Sequence, residues 1–433
     1  MLPPLLTGVS LGYFMVLLDL TVLAVAEPDL SASLGASLAG LQWTTTGYTV
    51  AFAALLLSAG AAADRYGADR LFRVGIAGFT LASALSAAAP GLPALVALRV
   101  VAGVAAAACV PASLALIALR YPSPAARTRA ISAWAAISGA AVAFGPVVGG
   151  ALVAAAGWRA VFLVNVPIGL AVLALTRGAP SGPRGDRRID WPAQLTAAAG
   201  LALATDAVIA AGGRSWSHAG CSAAALAGVT LLFRGLERRS PAPVLDRTLL
   251  RSPAVRAGLL SAAAVTFALT GGLFVLPLLL QRQWHLGPLA IGAALLPLTV
   301  PFVTNPPTTG RIVARIGPRA PILAGLTLLT AGGTALAGAV LVGGGYPWLV
   351  PGLLSTGVGV SLVLPALVAA LVSAGAPGSV GGLLNAVRQV GATLGVAVMG
   401  AAGPGWAFAL SAACCAAAWL VFRRSRPRAA GRG

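Results

Sequence analysis

Long apolar stretches separated by short polar segments recur along the whole chain, and they restrict its fold more than any other feature. A helix needs about 20 predominantly apolar residues to cross a bilayer. Fourteen stretches are candidates, and they lie near 6–26, 43–63, 71–90, 93–119, 130–156, 158–176, 191–211, 218–233, 255–280, 287–308, 314–342, 346–372, 383–402 and 404–422. The sequence therefore predicts an all-α polytopic membrane protein with 14 transmembrane helices, of which 218–233 is the weakest.

The composition excludes an ordinary soluble protein. Charged residues make up 9% of the 433 residues, whereas soluble domains carry roughly 25%. The net charge of +19 comes from 29 arginines, which lie in short clusters between apolar stretches. This placement argues against a nucleic-acid partner, because the arginines do not form one basic face. The four cysteines have neither metal-ligand nor disulfide spacing, so we predict no metal site.

The arginines also predict the orientation of the chain in the membrane. Connections that follow even-numbered stretches, together with the C-terminal tail, carry 24 of the 29 arginines. Connections that follow odd-numbered stretches carry three, and two lie inside stretches. Short arginine-rich loops stay on the cytoplasmic side. We therefore expect both termini in the cytoplasm and a multi-pass protein of the cytoplasmic (inner) membrane. The first stretch is interpreted as a retained span, since no basic segment precedes it.

A short pattern occurs twice, after the second and the tenth stretch. Residues 60–70 read GAAADRYGADR, and residues 310–319 read GRIVARIGPR, with two glycines and an arginine aligned 250 residues apart. Parallel repeats of this kind are typical of transporters built from two halves, although chance similarity of two short loops is the alternative. We predict an N-terminal six-helix half at 1–178, a two-helix insert at 179–245, and a C-terminal six-helix half with a basic tail at 246–433.

Several longer motifs carry a family resemblance. They are LDLTVLAVAEP at 18–28, Gln42-Trp43 with Tyr48, the loop at 60–70, Arg99 with Gly103, GPVVGG at 145–150, WRAVFLVNVPIG at 158–169, and NAVRQVG at 385–391. In this order and at these stretches, they resemble the major facilitator superfamily and, within it, the fourteen-span drug:proton antiporters. The loop departs from the family pattern at Ala68 and Asp69, where basic residues are usual, and Ala314 stands where its second-half copy would have an acid.

The resemblance implies the fold and the activity. It implies a major facilitator fold, with two six-helix halves plus a two-helix insert, and proton-coupled export of small hydrophobic compounds, drugs or antibiotics, by alternating access. The expected partners are a small-molecule substrate, protons and the lipid bilayer. We expect no cofactor, a proton gradient as the energy source, and a monomer. No phosphate-binding loop is present in the sequence, which argues against ATP as the energy source.

Three charged residues are candidates for proton coupling. Asp19 lies near the middle of the first stretch, where an ionised carboxylate costs about 2.5–3.5 kcal/mol. It must therefore face the bundle interior, find a partner or bind a proton, and hydrogen bonding to a neighbouring helix is the structural alternative. Arg99 could hold a carboxylate such as Asp19, serve the proton transfer that the family assigns to it, or extend to the outer interface. Asp206, in the insert, is the second candidate proton carrier or a merely paired acid. For Glu27, at the end of the first stretch, we expect an interfacial position.

The remaining candidate residues follow from the resemblance and from helical spacing. The expected substrate-cavity residues are Asp19, Gln42, Tyr48, Asn165, Asn385, Arg388 and Gln389. The expected conformational gate is formed by Gly60, Asp64, Arg65, Gly67 and Arg70, and the expected antiporter helix carries Gly145, Pro146, Gly149 and Gly150. Each set has a structural alternative: helix packing and interface anchoring for the stripe at 385–389, a plain surface loop for the gate, and a generic small-residue packing face for the antiporter helix.

Other functions stay open at this stage. A dedicated exporter of one endogenous metabolite or self-made antibiotic is the main alternative, and the sequence does not separate it from a multidrug pump. A non-transporting membrane sensor and a membrane enzyme are the remote alternatives. An enzyme would need a cluster of acids, histidines or nucleophiles at a membrane face, and only ten acids and two histidines occur in the chain.

Overall fold

A computed structural model describes residues 3–180, 190–240, 250–372 and 377–425, and nearly all of them are helical. The helices are α1 (Pro4–Leu34), α2 (Leu38–Tyr66), α3 (Ala68–Ala87), α4 (Leu92–Arg120), α5 (Pro124–Ala156), α6 (Ala160–Leu163), α7 (Asn165–Leu175), α8 (Trp191–Gly212), α9 (Trp216–Arg239), α10 (Pro253–Trp284), α11 (Pro288–Ala294), α12 (Leu296–Thr299), α13 (Pro301–Thr304), α14 (Pro306–Ile316), α15 (Arg319–Leu341), α16 (Tyr346–Val372), α17 (Pro377–Ala402) and α18 (Pro404–Arg424). No strand occurs in these ranges, so the predicted all-α class is confirmed.

The number of spans is the part of the fold prediction that is not confirmed. Ten helices in the described ranges are long and apolar enough to cross a membrane, and α2 makes eleven if its two parts, which are bent by 58°, count as one span. Three predicted spans do not meet this standard. The helix α3 carries Asp69, Arg70 and Arg73 in its first two turns. The helices α6 and α7 are short, and the segment from α11 to α14 is divided into four helices.

Prolines explain the broken segment. Pro288, Pro297, Pro301 and Pro306 each stand in the first turn of one of the four short helices α11 to α14. A proline has no backbone N–H, so it is tolerated at the start of a helix and interrupts the hydrogen bonding of a longer one. The apolar run at 287–308 therefore forms a chain of short helices rather than one straight rod.

The helices pack as two groups with a pair beside them. In the N-terminal group, α1 packs against α5 and α7, and α4 packs against α2 and α3. In the C-terminal group, α10 packs against α17 and α18, and α15 packs against α16 and α18. Each group has its own apolar core. The pair α8 and α9, which we call the insert, packs against α2 and α17.

In the described ranges the two groups meet mainly along α2 with α17, α5 with α11, and α1 with α10, and α5 also contacts α12 and α13. A third apolar core extends across both groups and includes Val22, Trp158, Phe274, Leu295 and Phe408. We call the end of the bundle that holds the connections 35–37, 157–159 and 285–287 the arginine-poor end, and the opposite end the arginine-rich end.

Candidate functional site

The ion pair between Asp19 and Arg99 lies at the centre of the N-terminal group. Asp19 is on α1 and Arg99 on α4, each side chain is 1% exposed, and Nη1 of Arg99 lies 2.5 Å from Oδ2 of Asp19. Nε of Arg99 donates to the carbonyl oxygen of Thr44 on α2, at 3.1 Å. The pairing that the sequence suggested for these two residues is therefore present, and it joins three helices.

Asn165 completes the surroundings of the carboxylate. Its Nδ2 donates to Oδ1 of Asp19 at 3.0 Å and lies 3.4 Å from the Ser83 hydroxyl. Both oxygens of Asp19 thus have a partner, one a cation and the other a neutral amide. Asn165 is the first residue of α7, directly after the break at Val164, so the break places its amide opposite α1.

Aromatic rings cover the guanidinium of Arg99. Its Cζ atom lies 4.6 Å from the ring centroid of Tyr48 and 5.7 Å from that of Phe162. A cation over an aromatic face is attracted by the ring quadrupole, and the attraction grows when water is excluded. Nη2 of Arg99 is buried and has no hydrogen-bond partner within the described ranges. Arg99 therefore keeps one donor unused while its other groups hold Asp19 and Thr44.

Glu27 is a second buried carboxyl group in the same group of helices, and the expectation of an interfacial position is wrong. Its side chain is 1% exposed, and Oε1 accepts a hydrogen bond from the Thr45 hydroxyl at 3.0 Å. Oε2 is buried without a partner among the residues that the structure describes. The sequence-based run ended at residue 26, whereas α1 continues to Leu34 and carries Glu27 inside the bundle. Within the described ranges this buried carboxyl thus has one neutral hydrogen-bond partner, Thr45.

Gln42 joins the two groups at the arginine-poor end. Its Nε2 donates to the carbonyl oxygens of Val396 and Ala397 on α17, at 3.1 and 2.9 Å. Deeper along the same pair of helices, the hydroxyls of Thr49 and Thr393 lie 2.7 Å apart. Gln42 was expected to line the substrate cavity. In the structure it is buried and bonded to the opposite group, and its role towards a substrate stays a prediction.

The small residues of α5 allow close contacts on both sides of that helix. A Cβ atom on Gly149 would lie 2.9 Å from the backbone of Val22 on α1, and one on Gly150 would lie 2.5 Å from the carbonyl oxygen of Pro288 on α11. Gly145 lies against Thr21 of α1, and the backbone of Pro146 lies against Gly292 of α11. The motif at 145–150 therefore packs α5 against its own group and against the other group.

The polar residues of α17 lie further towards the arginine-rich end. Nη1 of Arg388 donates to Oδ1 of Asn385 at 3.2 Å, and the Arg388 carbonyl accepts from Thr266 of α10 at 2.7 Å. Asn385 and Gln389, the neighbours of Arg388, are half-buried, and none of the three contacts the Asp19 ion pair through a hydrogen bond in the described ranges.

The gate candidate forms the turn between α2 and α3. Gly67 ends α2 with a φ of 95°, a value that favours glycine. Gly317 occupies the equivalent place between α14 and α15 with a φ of 79°. The guanidinium of Arg65 lies over the ring of Tyr66, 5.6 Å from its centroid. The remaining gate candidates Gly60, Asp64 and Arg70 lie in the last two turns of α2 and the first turn of α3.

Asp206 lies apart from the central ion pair. It is on α8 of the insert, its side chain is 23% exposed, and Oδ2 contacts Nε2 of His218 at 2.8 Å and the Ser222 hydroxyl at 2.5 Å. Both partners belong to α9, so these contacts join the two helices of the insert. The structure therefore does not bring Asp206 together with Asp19 and Arg99.

Sequence reasoning missed the neutral residues that surround the ion pair. Thr44, Thr45 and Ser83 are all buried, and each contacts one of the charged or amide groups described above. The run WTTTGYT at 43–49 was a usable signal, because successive hydroxyl residues inside an apolar stretch need hydrogen-bond partners.

The described helices form two groups that pack on each other at the arginine-poor end, and a buried ion pair lies inside the N-terminal group. The family model of the Major Facilitator Superfamily matches residues 9–396. The chain belongs to this superfamily, and this membership identifies it as a membrane transporter rather than an enzyme.

Known relatives give the comparison more detail. The chain is 34% identical to the tetracenomycin C resistance and export protein of Streptomyces glaucescens, over 92% of this chain and 75% of that protein. It is also 34% identical to the methylenomycin A resistance protein of Bacillus subtilis, over 96% and 94%, and to the multidrug resistance protein Stp of Mycobacterium tuberculosis, over 93% and 76%. The xylose transporter XylE from E. coli shares the fold, with a TM-score of 0.70 at 14% identity over 98% and 99% of the two chains.

Proposed function

We propose that this protein exports small, largely apolar molecules across the cytoplasmic membrane in exchange for protons. The observation that carries the proposal is the Asp19–Arg99 ion pair, held by Asn165 in a site that water does not reach. Buried ionisable groups in a membrane bundle are costly and are typical of proton or ion pathways. The names of the relatives, which refer to antibiotic resistance, export and multidrug resistance, support drug efflux.

In the coupling step, Arg99 and a proton compete for the carboxylate of Asp19. With Arg99 in contact, the carboxylate is held as an anion, and a proton that enters from outside replaces the arginine as its partner. Arg99 then keeps its bond to Thr44 and its contacts with Tyr48 and Phe162, so the cation is not left without partners when it leaves Asp19. Release of the proton to the cytoplasm restores the ion pair. Asp19 and Arg99 are thus the proposed proton-coupling residues, and Asp206 is the alternative carrier.

Alternating access requires that the two ends of the bundle open and close in turn. The contacts of Gln42 with α17 and of Gly150 with α11 hold the arginine-poor end together. The positive-inside distribution of arginines supports an outer position for that end and a cytoplasmic position for both termini. We propose that the structure corresponds to an inward-facing state with fourteen spans, in which the three weaker segments, α3, α6–α7 and α11–α14, also cross the membrane.

Inverted membrane vesicles with an imposed proton gradient test the proposal. We expect gradient-driven uptake of a lipophilic fluorescent substrate by the wild-type protein and its loss in Asp19→Asn. The matched control is Asp206→Asn, which removes a second acid from an apolar helix but leaves the central ion pair intact. Uptake that survives Asp19→Asn and disappears in Asp206→Asn would move the coupling role to the insert. Uptake that survives both would refute a coupling role for either acid.

A dedicated exporter is the second candidate. Two of the relatives are named for one antibiotic each, tetracenomycin C and methylenomycin A. Uptake assays with the same vesicles separate the two functions. The compounds added in turn are a panel of lipophilic cations and of neutral or acidic polycyclic antibiotics. Uptake of a single compound class favours the dedicated exporter, and uptake of structurally unrelated compounds favours a multidrug pump.

A further inference from the structure

A cavity of about 320 Å³ lies between the insert and the helix pair that joins the two groups. Its walls come from α2, α8, α9 and α17, and they are almost entirely apolar. Small-molecule sites occupy about 300–1,000 Å³ and combine an apolar lining with a few polar groups. The size and the lining of this cavity, which we call the insert pocket, therefore suit a small organic molecule.

One polar side chain in the pocket lacks a partner. Gln194 of α8 is 2% exposed and lines the pocket, and its Oε1 is buried with no hydrogen-bond partner in the described ranges. A buried amide is almost always hydrogen-bonded, because leaving it unpaired is unfavourable. The pocket thus offers a hydrogen-bonding group that the protein itself does not use.

The position of the pocket connects it with the arginine-rich half of the bundle. Gln194, Ala197 and Gly200 lie in the first half of α8, and Leu383 and Ala386 lie in the first half of α17. By the arginine distribution this half faces the cytoplasm. A molecule dissolved in the inner leaflet would therefore lie at the same depth in the membrane as the pocket.

The pocket borders the contact between α2 and α17. On the side of α2 the lining residues are Ala53 and Ala54, which lie just before the point at which α2 bends by 58°. On α17 the residues Ala386 and Val387 line the pocket, and Thr393, two turns further along the same helix, contacts Thr49 of α2. The pocket therefore lies directly beside the junction of α2 and α17, where the two groups meet.

We propose that the insert pocket is a binding site for the exported molecule before it reaches the interior of the bundle. It takes an apolar compound with one hydrogen-bonding group, which pairs with the amide of Gln194. The compound enters from the inner leaflet and passes between α2 and α17. This inference rests on the proposed export function, but the pocket can be tested by binding alone, without a proton gradient.

Two substitutions change the pocket in different ways. Gly200→Leu fills it, because a Cβ atom there meets only Val229 at 3.7 Å and Leu226 at 3.9 Å, which are ordinary contacts. Gln194→Leu keeps the volume and removes the amide. The matched control is Gly228→Leu on α9, an exposed glycine whose Cβ would meet nothing within 4 Å.

The probe is Hoechst 33342, a lipophilic weak base with N–H donors, titrated into the protein in lipid nanodiscs. We expect Gly200→Leu to raise its Kd at least about tenfold, because the side chain and the ligand cannot share one volume. Gln194→Leu should raise the Kd about three- to tenfold, which corresponds to the loss of one hydrogen bond. Gly228→Leu should bind the dye as the wild-type protein does.

Binding by Gly200→Leu with the wild-type Kd, or no binding of the dye by the wild-type protein, would overturn the proposal. Native mass spectrometry tests for the other candidate occupant of the pocket, a phospholipid. A phospholipid that is bound to the wild-type protein and lost from Gly200→Leu, with the dye affinity unchanged, would show that the pocket holds lipid and would likewise overturn it. Dye that binds the wild-type protein but is not taken up in the vesicle assay would contradict the proposed export and leave the pocket standing, so failure of the proposed function is distinguishable from failure of the pocket.

Discussion

The amide of Gln42, near the start of α2, donates to the carbonyl oxygen of Ala397, near the end of α17, over 2.9 Å. The bond crosses between the two groups of helices, and the neighbouring carbonyl of Val396 receives the same amide nitrogen at 3.1 Å. A side chain that bonds the backbone of the opposite group acts only while the arginine-poor end is closed. Gln42 therefore favours one of the two conformations that the proposed alternating access requires.

Gln42→Ala should shift the protein towards the state that is open at the arginine-poor end. The loss of the hydrogen bonds removes about 1–3 kcal/mol from the closed state. Spin labels at Gly91 and Gly287, which lie at this end in opposite groups and where a Cβ has room, report the separation in a cysteine-free background. We expect a larger population at the long distance. An unchanged distance distribution would show that the bonds do not bias the conformation.

Asp19 and Arg99 should show strong energetic coupling in a double-mutant cycle. Asp19→Asn leaves the Arg99 cation buried without its anion, and Arg99→Gln leaves the Asp19 carboxylate without its cation. Each single change should lower the free energy of unfolding by about 3–5 kcal/mol, and the double variant should lose less than the sum. Unfolding of the purified protein in mild detergent measures the cycle. Additive losses would indicate that the two side chains stabilise the bundle independently.

Glu27 should tolerate the loss of its acid but not the loss of its side chain. Glu27→Gln keeps the volume of the side chain and an oxygen that accepts from the Thr45 hydroxyl. We therefore expect a change of less than about 1 kcal/mol in the free energy of unfolding. Glu27→Ala removes the hydrogen bond and leaves a cavity, which should cost about 2–4 kcal/mol. A loss in Glu27→Gln as large as that of Asp19→Asn would mean that Glu27 is ionised in the folded protein.

The contact of α5 with α11 should be sensitive to one methyl group. Gly150→Ala places a Cβ atom 2.5 Å from the carbonyl oxygen of Pro288, so the two helices must separate. We expect a loss of about 1–3 kcal/mol in the closed arginine-poor end and slower export. Gly139→Ala is the control, because it lies on the same helix and its Cβ meets nothing within 4 Å. Equal transport rates in the two variants, measured in the vesicle assay, would contradict this interpretation of the motif.

The sequence predicted the class of fold well because membrane helices depend on long apolar runs, which are visible without a structure. It predicted the span count less well. The segment at 287–308 is apolar enough, but its prolines divide it into short helices, and α3 starts with three charged residues. Hydropathy alone does not describe where a backbone breaks.

The site shows the same division between what is local and what is not. Asp19 and Arg99 were identifiable because a charge inside an apolar stretch is conspicuous. The position of Glu27 depended on where α1 ends, eight residues beyond the apolar run, and helix ends are poorly defined by sequence. Gln194 was not identifiable at all, because its importance depends on a cavity formed by four helices that are distant in the chain.

The run of prolines from α11 to α14 has a mechanical consequence. Bending a regular helix in hydrocarbon breaks backbone hydrogen bonds that lipid cannot replace. At Pro297, Pro301 and Pro306 the amide hydrogens are already missing, so flexing there exposes no further donors. The segment from α11 to α14, which packs against α5, is thus the part of the C-terminal group that bends most easily. The C-terminal group can therefore change its shape along this segment while its longer helices, α10 and α15 to α18, stay unbroken.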